Sequence, residues 1–428
     1  MRIDFSPPDI TEAEIDAVAE ALRSGWITTG PRTKQFEREL AAWCTTPRVA
    51  CLSSATAALE CALRLLGIGP GDEVITSAYT YTASASVICH VGATPVLVDV
   101  AAGTYEMDYG AVAAAVTPRT KAVIPVDIAG VMCDYEELTR QLEGVSGLYT
   151  PAAGTLQEAF DRVVIVADAA HSFGAERGGV PCGAVADFTA FSFHAVKNLT
   201  TAEGGALTWR PHAGLDDQQL YEGCMLLSLH GQSKDALAKD KAGAWEYDVV
   251  APLYKCNMTD VFAALGLAQL ARYPQMLRRR REVLERYERG LAGAAAAAGA
   301  PADGAGLPAG AVADGMGLPA GAAEFLQHFT ARGSSSAHLC LVRLLGRDQE
   351  FRNRFIQGMA QRGVACNVHY KPLPLLTAYK DLGFDIGDFK NAMAQFANEV
   401  TLPLYSKLTD EEVDFVIACF KETYRELL

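Results

Sequence analysis

Between Arg48 and about Gly205 the chain alternates short apolar, β-branched runs with helical patterns, and this alternation limits the possible folds more than any other feature. "RVACL", "DEVITS", "TPVLVDV", "KAVIPVD", "RVVIVAD" and "DFTAFSF" read as strands, while "SATAALECALRLLG" and "YEELTRQLEG" read as helices. Parallel strands need a crossover between them, usually a helix. The pattern therefore predicts an α/β fold with a mostly parallel sheet covered on both faces. In such sheets functional groups gather at the carboxyl ends of the strands. A length of 428 residues leaves room for one large domain and a second, smaller one.

The second half supports that division. A helical pattern runs from about Thr259 past Arg289, and Pro274 within it predicts a break or kink. The basic run Arg278 to Arg281 is followed by Glu282, Glu285 and Glu288 at helical spacing, which reads as a solvated, ion-paired face rather than a nucleic-acid patch. An Ala/Gly/Pro-rich stretch at about 292–325 has too little bulky apolar surface to order itself and reads as a loop insertion; "TPAAGT" near Thr150 reads as a shorter one. From Ala337 onward, strand-like "HLCLVRLL", helix-like "DQEFRNRFIQGMAQRG" and strand-like "ACNVHY" predict a small α+β domain. The expected division is a large domain over 1–255 and a small one over 256–428.

Composition narrows the function. A formal charge of -14 argues against a duplex nucleic-acid binder and against a protein seated on anionic membrane. No apolar stretch is long enough to span a bilayer and "MRIDFSPPDITEAE" has no apolar core of a secretory signal, so a cytoplasmic location is expected. The eleven cysteines are scattered singly without a C-x-x-C pair, a pattern of reduced core thiols that offers no metal site.

Two residues carry the chemistry. In "RVVIVADAAHSFGA" a buried strand leads into Asp168, where a carboxylate is costly unless a cation or several donors meet it; a capping or turn aspartate is the plainer alternative. Lys197 follows 29 positions later, at the end of the next strand-like run, and adjacent parallel strands would bring the two to one edge of the sheet. They could form a simple ion pair. Pyridoxal phosphate needs both, a lysine for a Schiff base and an acid on its ring nitrogen. That cofactor also needs a phosphate site. In "RVACLSSATAALECALRLLG" a strand runs through Ser53, Ser54 and Thr56 into a helix, whose first N–H groups attract an anion, although Ser54 or Thr56 could be an ordinary N-cap. Ser192 could add a hydroxyl, and Tyr79 or Tyr81 in "SAYTYTASAS" could give the ring a stacking face or serve as plain packing. Neither the nucleoside-triphosphate loop motif nor a dinucleotide fingerprint is present.

"SSATAALECAL", "TYTASAS", "VADAAHSFGA" and "FSFHAVKNLTTAEGGAL" resemble successive signatures of the DegT/DnrJ/EryC1/StrS nucleotide-sugar aminotransferases, which have the aspartate aminotransferase fold type I. "SGWITTGP", "LHGQSKDA", "YKCNMTDVFAALGLAQL", "VHYKP" and "TLPLYSKLTDEEVDFVI" fit in the same order, so the resemblance covers nearly the whole chain apart from the two insertions. It implies Lys197 as the Schiff-base lysine, Asp168 on the pyridine nitrogen and His171 beside the cofactor's phenolic oxygen. It also implies Ala55, Thr56 and Ser192 on the phosphate and Tyr81 in the stacking position. Asn257 in "YKCNMTD", or Lys255 in its place, would reach the phosphate of the neighbouring subunit and make the enzyme a homodimer with shared sites. Trp26, Thr28, Thr29, His369 and Tyr370 would line the substrate side. The resemblance further implies glutamate as amino donor, 2-oxoglutarate as its product, pyridoxamine phosphate as the intermediate cofactor form and a nucleotide-linked keto-sugar as acceptor. "FHAVKNLTTAEGG" and "LHGQSKDA" look most like enzymes of the UDP-4-amino-4-deoxyarabinose type, which aminate C4 of a UDP-keto-sugar. The alternatives are a sugar dehydratase of the same family, which generally carries histidine where this chain has Lys197, a non-catalytic regulatory member, and a fold type I enzyme acting on amino acids or small amines.

Overall fold

The computed structural model describes residues 1–234, 246–291, 318–319 and 321–428. Its centre is a seven-stranded sheet made of β1 (Val49–Leu52), β2 (Glu73–Ser77), β3 (Thr94–Val98), β4 (Thr120–Ile124), β5 (Val164–Asp168), β6 (Phe188–Ser192) and β7 (Gly205–Trp209). The spatial order is β1-β7-β6-β5-β4-β2-β3, and every neighbouring pair is parallel except those made by β7. All six expected strands are present, so the fold is the α/β, mostly parallel type. The strand β7 lies just beyond the last of them. An antiparallel partner needs no helical crossover, and the connection Phe193–Gly204 between β6 and β7 is the segment that carries Lys197.

A second sheet joins β8 (Ala323–Phe325), β9 (Cys340–Leu344) and β10 (Glu399–Leu402) in that order, all antiparallel. The expected 292–325 insertion lies largely outside the described residues, and its last residues form β8 rather than a loop, paired through Phe325 and Val342. "ACNVHY" is not a strand. Val364 and Asn367 make single bridges to Ile3 and Thr401, after which the His369 N–H donates to the Glu399 side chain at 3.0 Å instead of to a neighbouring backbone.

The helix Asp260–Leu291 runs through Pro274 without a break. Its first half packs Ala263, Leu270, Tyr273 and Met276 into the core around the large sheet, and its second half packs Val283, Leu284, Tyr287 and Leu291 into the core around the small one. The basic run on this helix is only partly a solvated face. Arg279 and Arg281 pair with Glu282 and Glu285, but Arg280 is buried and donates to the carbonyls of Ala337, His338 and Leu404. Its position turns it toward the loop before β9 and the segment after β10, where its guanidinium satisfies three backbone acceptors. A third apolar cluster, including Tyr79, Leu97 and Ile128 with Leu341, Tyr379 and Phe396, ties the large sheet to the C-terminal part. No helix among the described residues is long and apolar enough to cross a membrane.

Candidate active site

Because β5 and β6 are parallel neighbours, Asp168 and Ser192 end at the same edge of the sheet. That edge opens on a cavity of about 380 Å³ whose walls include Asp168, His171, Ser192 and Lys197. Three more wall segments come from elsewhere: Ser54–Thr56 at the start of the helix Ala55–Leu65, Thr80 and Tyr81 after β2, and His369 and Tyr370 from the C-terminal part.

Among the described residues, no cation is hydrogen-bonded to the buried Asp168. Its Oδ2 accepts from Ser84 Oγ at 2.7 Å and its Oδ1 from the Ala170 N–H at 3.1 Å. Burial pushes its pKa up, and the two donors and the Lys197 charge hold it down in part. Lys197 is partly buried, and loss of hydration lowers its pKa to about 8. The threonines that follow it serve its loop: Thr200 Oγ1 donates to Phe193 O at 3.2 Å and accepts from the Ala202 N–H at 2.9 Å, and the Thr201 N–H donates to Phe193 O at 2.9 Å. Asn198 anchors the next position, donating to Ser336 O at 2.7 Å and meeting His338 Nδ1 at 2.8 Å.

His171 has a defined tautomer. The Ala129 N–H donates to its Nδ1 at 3.2 Å, so the neutral ring carries its proton on Nε2 and donates to Tyr370 Oη at 3.0 Å. Burial, with the nearby Lys197 charge, holds its pKa well below the usual range and keeps it neutral. The Tyr370 hydroxyl accepts from this ring and retains its own proton to donate.

At the third wall Ser54 caps the helix, accepting from the Ala57 N–H at 3.0 Å. The N–H groups of Ala55 and Thr56 precede any intrahelical bond. The second of the two glycines explains how β7 comes so close: a Cβ on Gly205 would stand 2.2 Å from the Ser54 carbonyl carbon, so only glycine lets the strand pass under the helix start. Tyr81 stands at the mouth, 59% exposed, with its ring centroid 5.9 Å from that of Tyr370.

Trp26, Thr28, Thr29 and Asn257 do not join this cavity within the chain. Trp26 Nε1 donates to Thr29 O at 3.2 Å, Asn257 Nδ2 donates to Thr29 Oγ1, and the exposed Lys255 donates to Asn257 Oδ1. The Thr28 carbonyl accepts from the Asp260 N–H at 3.0 Å. Asp260 itself caps the helix Pro31–Cys44 from far along the chain, accepting from the N–H groups of Gly30, Arg32 and Thr33. Proline at the first position and glycine before it leave that helix without a cap of its own.

The sequence matches the DegT/DnrJ/EryC1/StrS aminotransferase family over residues 8–304 and 318–421. The chain belongs to this family. It is 36% identical over 424 residues to the spore coat polysaccharide biosynthesis protein SpsC of Bacillus subtilis, covering 98% of this chain and 96% of that protein. Among solved structures it is similar to Spr1654 of Streptococcus pneumoniae, provisionally described as a sugar aminotransferase and solved in apo, PMP and PLP forms. For the PLP form the identity is 51%, all of both chains is covered and the TM-score is 0.90. The aminotransferase TlmJ of Streptoalloteichus hindustanus is 29% identical over the whole of both chains, with a TM-score of 0.81. These likenesses give the chain the fold type I architecture of the family.

Within this family fold, the residues that sequence reasoning did not single out act behind the cavity walls. Ser84 sits in the quoted "TYTASAS", and its signal was a small hydroxyl on the first turn after a parallel strand. Asn198 and His338 touch across a separation of 140 residues, which no local pattern reveals.

Proposed function

We propose that this aminotransferase uses pyridoxal phosphate to move the amino group of glutamate to a keto-sugar linked to a nucleoside diphosphate, at C4 of a UDP-keto-sugar. One observation carries the reading: a buried carboxylate with no bonded cation among the described residues and a lysine with a lowered pKa share a cavity with a helix start that offers free N–H groups. Bound there, the cofactor supplies a carbonyl that condenses with amines and a ring that accepts the electrons released when a C–H bond breaks.

The residues present fit that group. The Ala55 and Thr56 N–H groups and the Ser192 hydroxyl would hold a phosphate, where helix dipole and donors act together. Asp168, raised in pKa yet ringed only by neutral donors, would gain a cationic N–H partner in the ring nitrogen and keep that nitrogen protonated. His171 would lie beside the phenolic oxygen, with its Nε2–H directed at Tyr370. Tyr81 would cover a ring face. Lys197, with its proton held only to about pH 8, would accept and return a proton at the reacting carbon.

Trp26, Thr28, Thr29 and Asn257 belong to the same reading as parts of the partner subunit's site. Their separation from the cavity within one chain supports a homodimer, as do the exposed apolar side chains Ile27 and Tyr254 on the same two segments. The cytoplasm suits a protein whose eleven cysteines are all free.

Absorbance spectroscopy of the purified protein tests this. The expected result is a yellow chromophore that borohydride and glutamate each bleach, that NDP-keto-sugars restore, and that Lys197→Ala alters. Mass spectrometry over UDP-, GDP- and dTDP-keto-sugars reads the acceptor and the aminated carbon. No spectral response to glutamate would overturn the donor assignment.

A further inference from the structure

Glu399 begins β10, is fully buried, and lies behind the cavity rather than on its wall. Its Oε2 accepts the His369 backbone N–H at 3.0 Å, and its Oε1 meets Thr401 Oγ1 at 2.6 Å. Thr401 Oγ1 in turn meets His369 Nδ1 at 2.9 Å. A carboxyl, a hydroxyl and an imidazole thus form one chain that ends on a residue of the cavity wall. Phe5 stacks on the His369 ring at 5.6 Å and holds its plane.

Such a chain has two self-consistent arrangements. With Glu399 protonated, Oε1–H donates to Thr401, the Thr401 O–H donates to His369 Nδ1, and the ring carries its proton on Nε2. With Glu399 ionised, every donor reverses: Thr401 donates to Oε1, His369 Nδ1–H donates to Thr401, and Nε2 bears a lone pair. The two differ by one proton. As Nε2 releases it into the cavity, the Thr401 proton passes to Nδ1, the Glu399 proton passes to Thr401, and the negative charge comes to rest on Glu399.

We propose that Glu399 is a positioning residue that, through Thr401, decides whether His369 presents an N–H donor or a lone pair to the cavity. The inference rests on the reading that this cavity is the reaction site. Burial supports it by pushing Glu399 up to about 8 and by holding His369 down to about 3, so the ring stays neutral and switches tautomer rather than charge. The charged and titratable groups facing Glu399 come from every side. Arg352 packs from the helix Gln349–Gln361 with its guanidinium on the Glu399 backbone carbonyl at 3.1 Å, and Arg343 is its partner across β9. The phenols of Tyr79 and Tyr105 and the thiols of Cys340 and Cys366 also lie near its charge, and on the cavity side Lys197 and His171 face the His369 ring. Arg352 favours the ionised form, but its guanidinium bonds the backbone carbonyls of Phe396 and Glu399 rather than the Glu399 carboxyl, so desolvation prevails.

The test is the imidazole ¹⁵N spectrum of the histidine-labelled holoenzyme on either side of pH 8, with the His369 signals assigned by their loss in His369→Gln. The wild type is expected to exchange its protonated nitrogen from Nε2 to Nδ1 as pH rises. Glu399→Gln, whose amide N–H imitates the protonated acid, should keep the proton on Nε2 throughout, and Thr401→Val should uncouple the ring from pH. The same tautomer on both sides in the wild type, or an exchange that survives Glu399→Gln, would overturn the proposal; the wild-type titration needs no variant to fold. Because no sugar is required, a protein that shows the switch yet aminates none of the keto-sugars would sink the functional reading and leave this one standing.

Discussion

The central sheet carries a buried aspartate at each of its two edges, and the fold treats them in opposite ways. Asp187 precedes β6 and is closed on itself: Arg162 grips both its oxygens at 2.8 and 3.0 Å, Arg210 adds a third contact at 2.7 Å, and the Ile165 N–H a fourth at 2.8 Å. Asp168 ends β5 at the other edge and, among the described residues, receives only a serine hydroxyl and one backbone N–H. A buried charge matched by arginines is structure, because each partner would be stranded without the other. A buried carboxylate left open toward a cavity keeps part of its bonding capacity for something that enters.

Four changes would break or sharpen that contrast. Asp168→Asn should lower kcat/KM for transamination by about 10²–10⁴-fold, the usual worth of a positioned acid or base, while leaving the thermal midpoint unchanged or raised. Asp187→Ala should do the reverse, costing about 3–5 kcal/mol in denaturant unfolding by stranding the buried Arg162, with turnover per folded molecule kept. Gly205→Ala pushes a methyl into the Ser54–Ala55 backbone; about 1–3 kcal/mol of overpacking should appear, together with weaker binding of inorganic phosphate by calorimetry.

The smallest effect concerns Lys197 in protein stripped of cofactor. The unfolded lysine holds its proton to about 10.5 and the folded one only to about 8, so the burial penalty is full below pH 8 and is relieved as pH rises between those values. The full difference is worth about 3 kcal/mol at neutral pH; because the side chain is only partly buried, Lys197→Met should raise stability by roughly 2 kcal/mol there, and the gain should disappear above pH 10.5. An unfolding difference independent of pH would show that the amine is not desolvated.

Much of the frame was legible because it rests on local pattern. The strand runs, the helix opening at Ser54 and the strand ends at Asp168 and Ser192 all follow from periodicity and from the rule that parallel neighbours share an edge. Arg280 was misread for the opposite reason: its sequence neighbours are surface charges, and only the loop before β9 shows that it is buried. The "ACNVHY" segment was misread because a β-like composition does not reveal that a side chain, Glu399, would take its next amide.

By itself, then, the order of residues determined the sheet's type, the helix start with its free N–H groups, and the placing of an acid at the end of one strand and a lysine just past the end of its neighbour, since each depends on spacing along a few tens of positions. The tautomer of His171, the hidden chain from Glu399 to His369 and the exclusion of Trp26 and Asn257 from the cavity were decided only in three dimensions. Those features depend chiefly on which donor meets which acceptor across gaps of 30 to 228 residues, a choice set by packing and desolvation rather than by any periodicity.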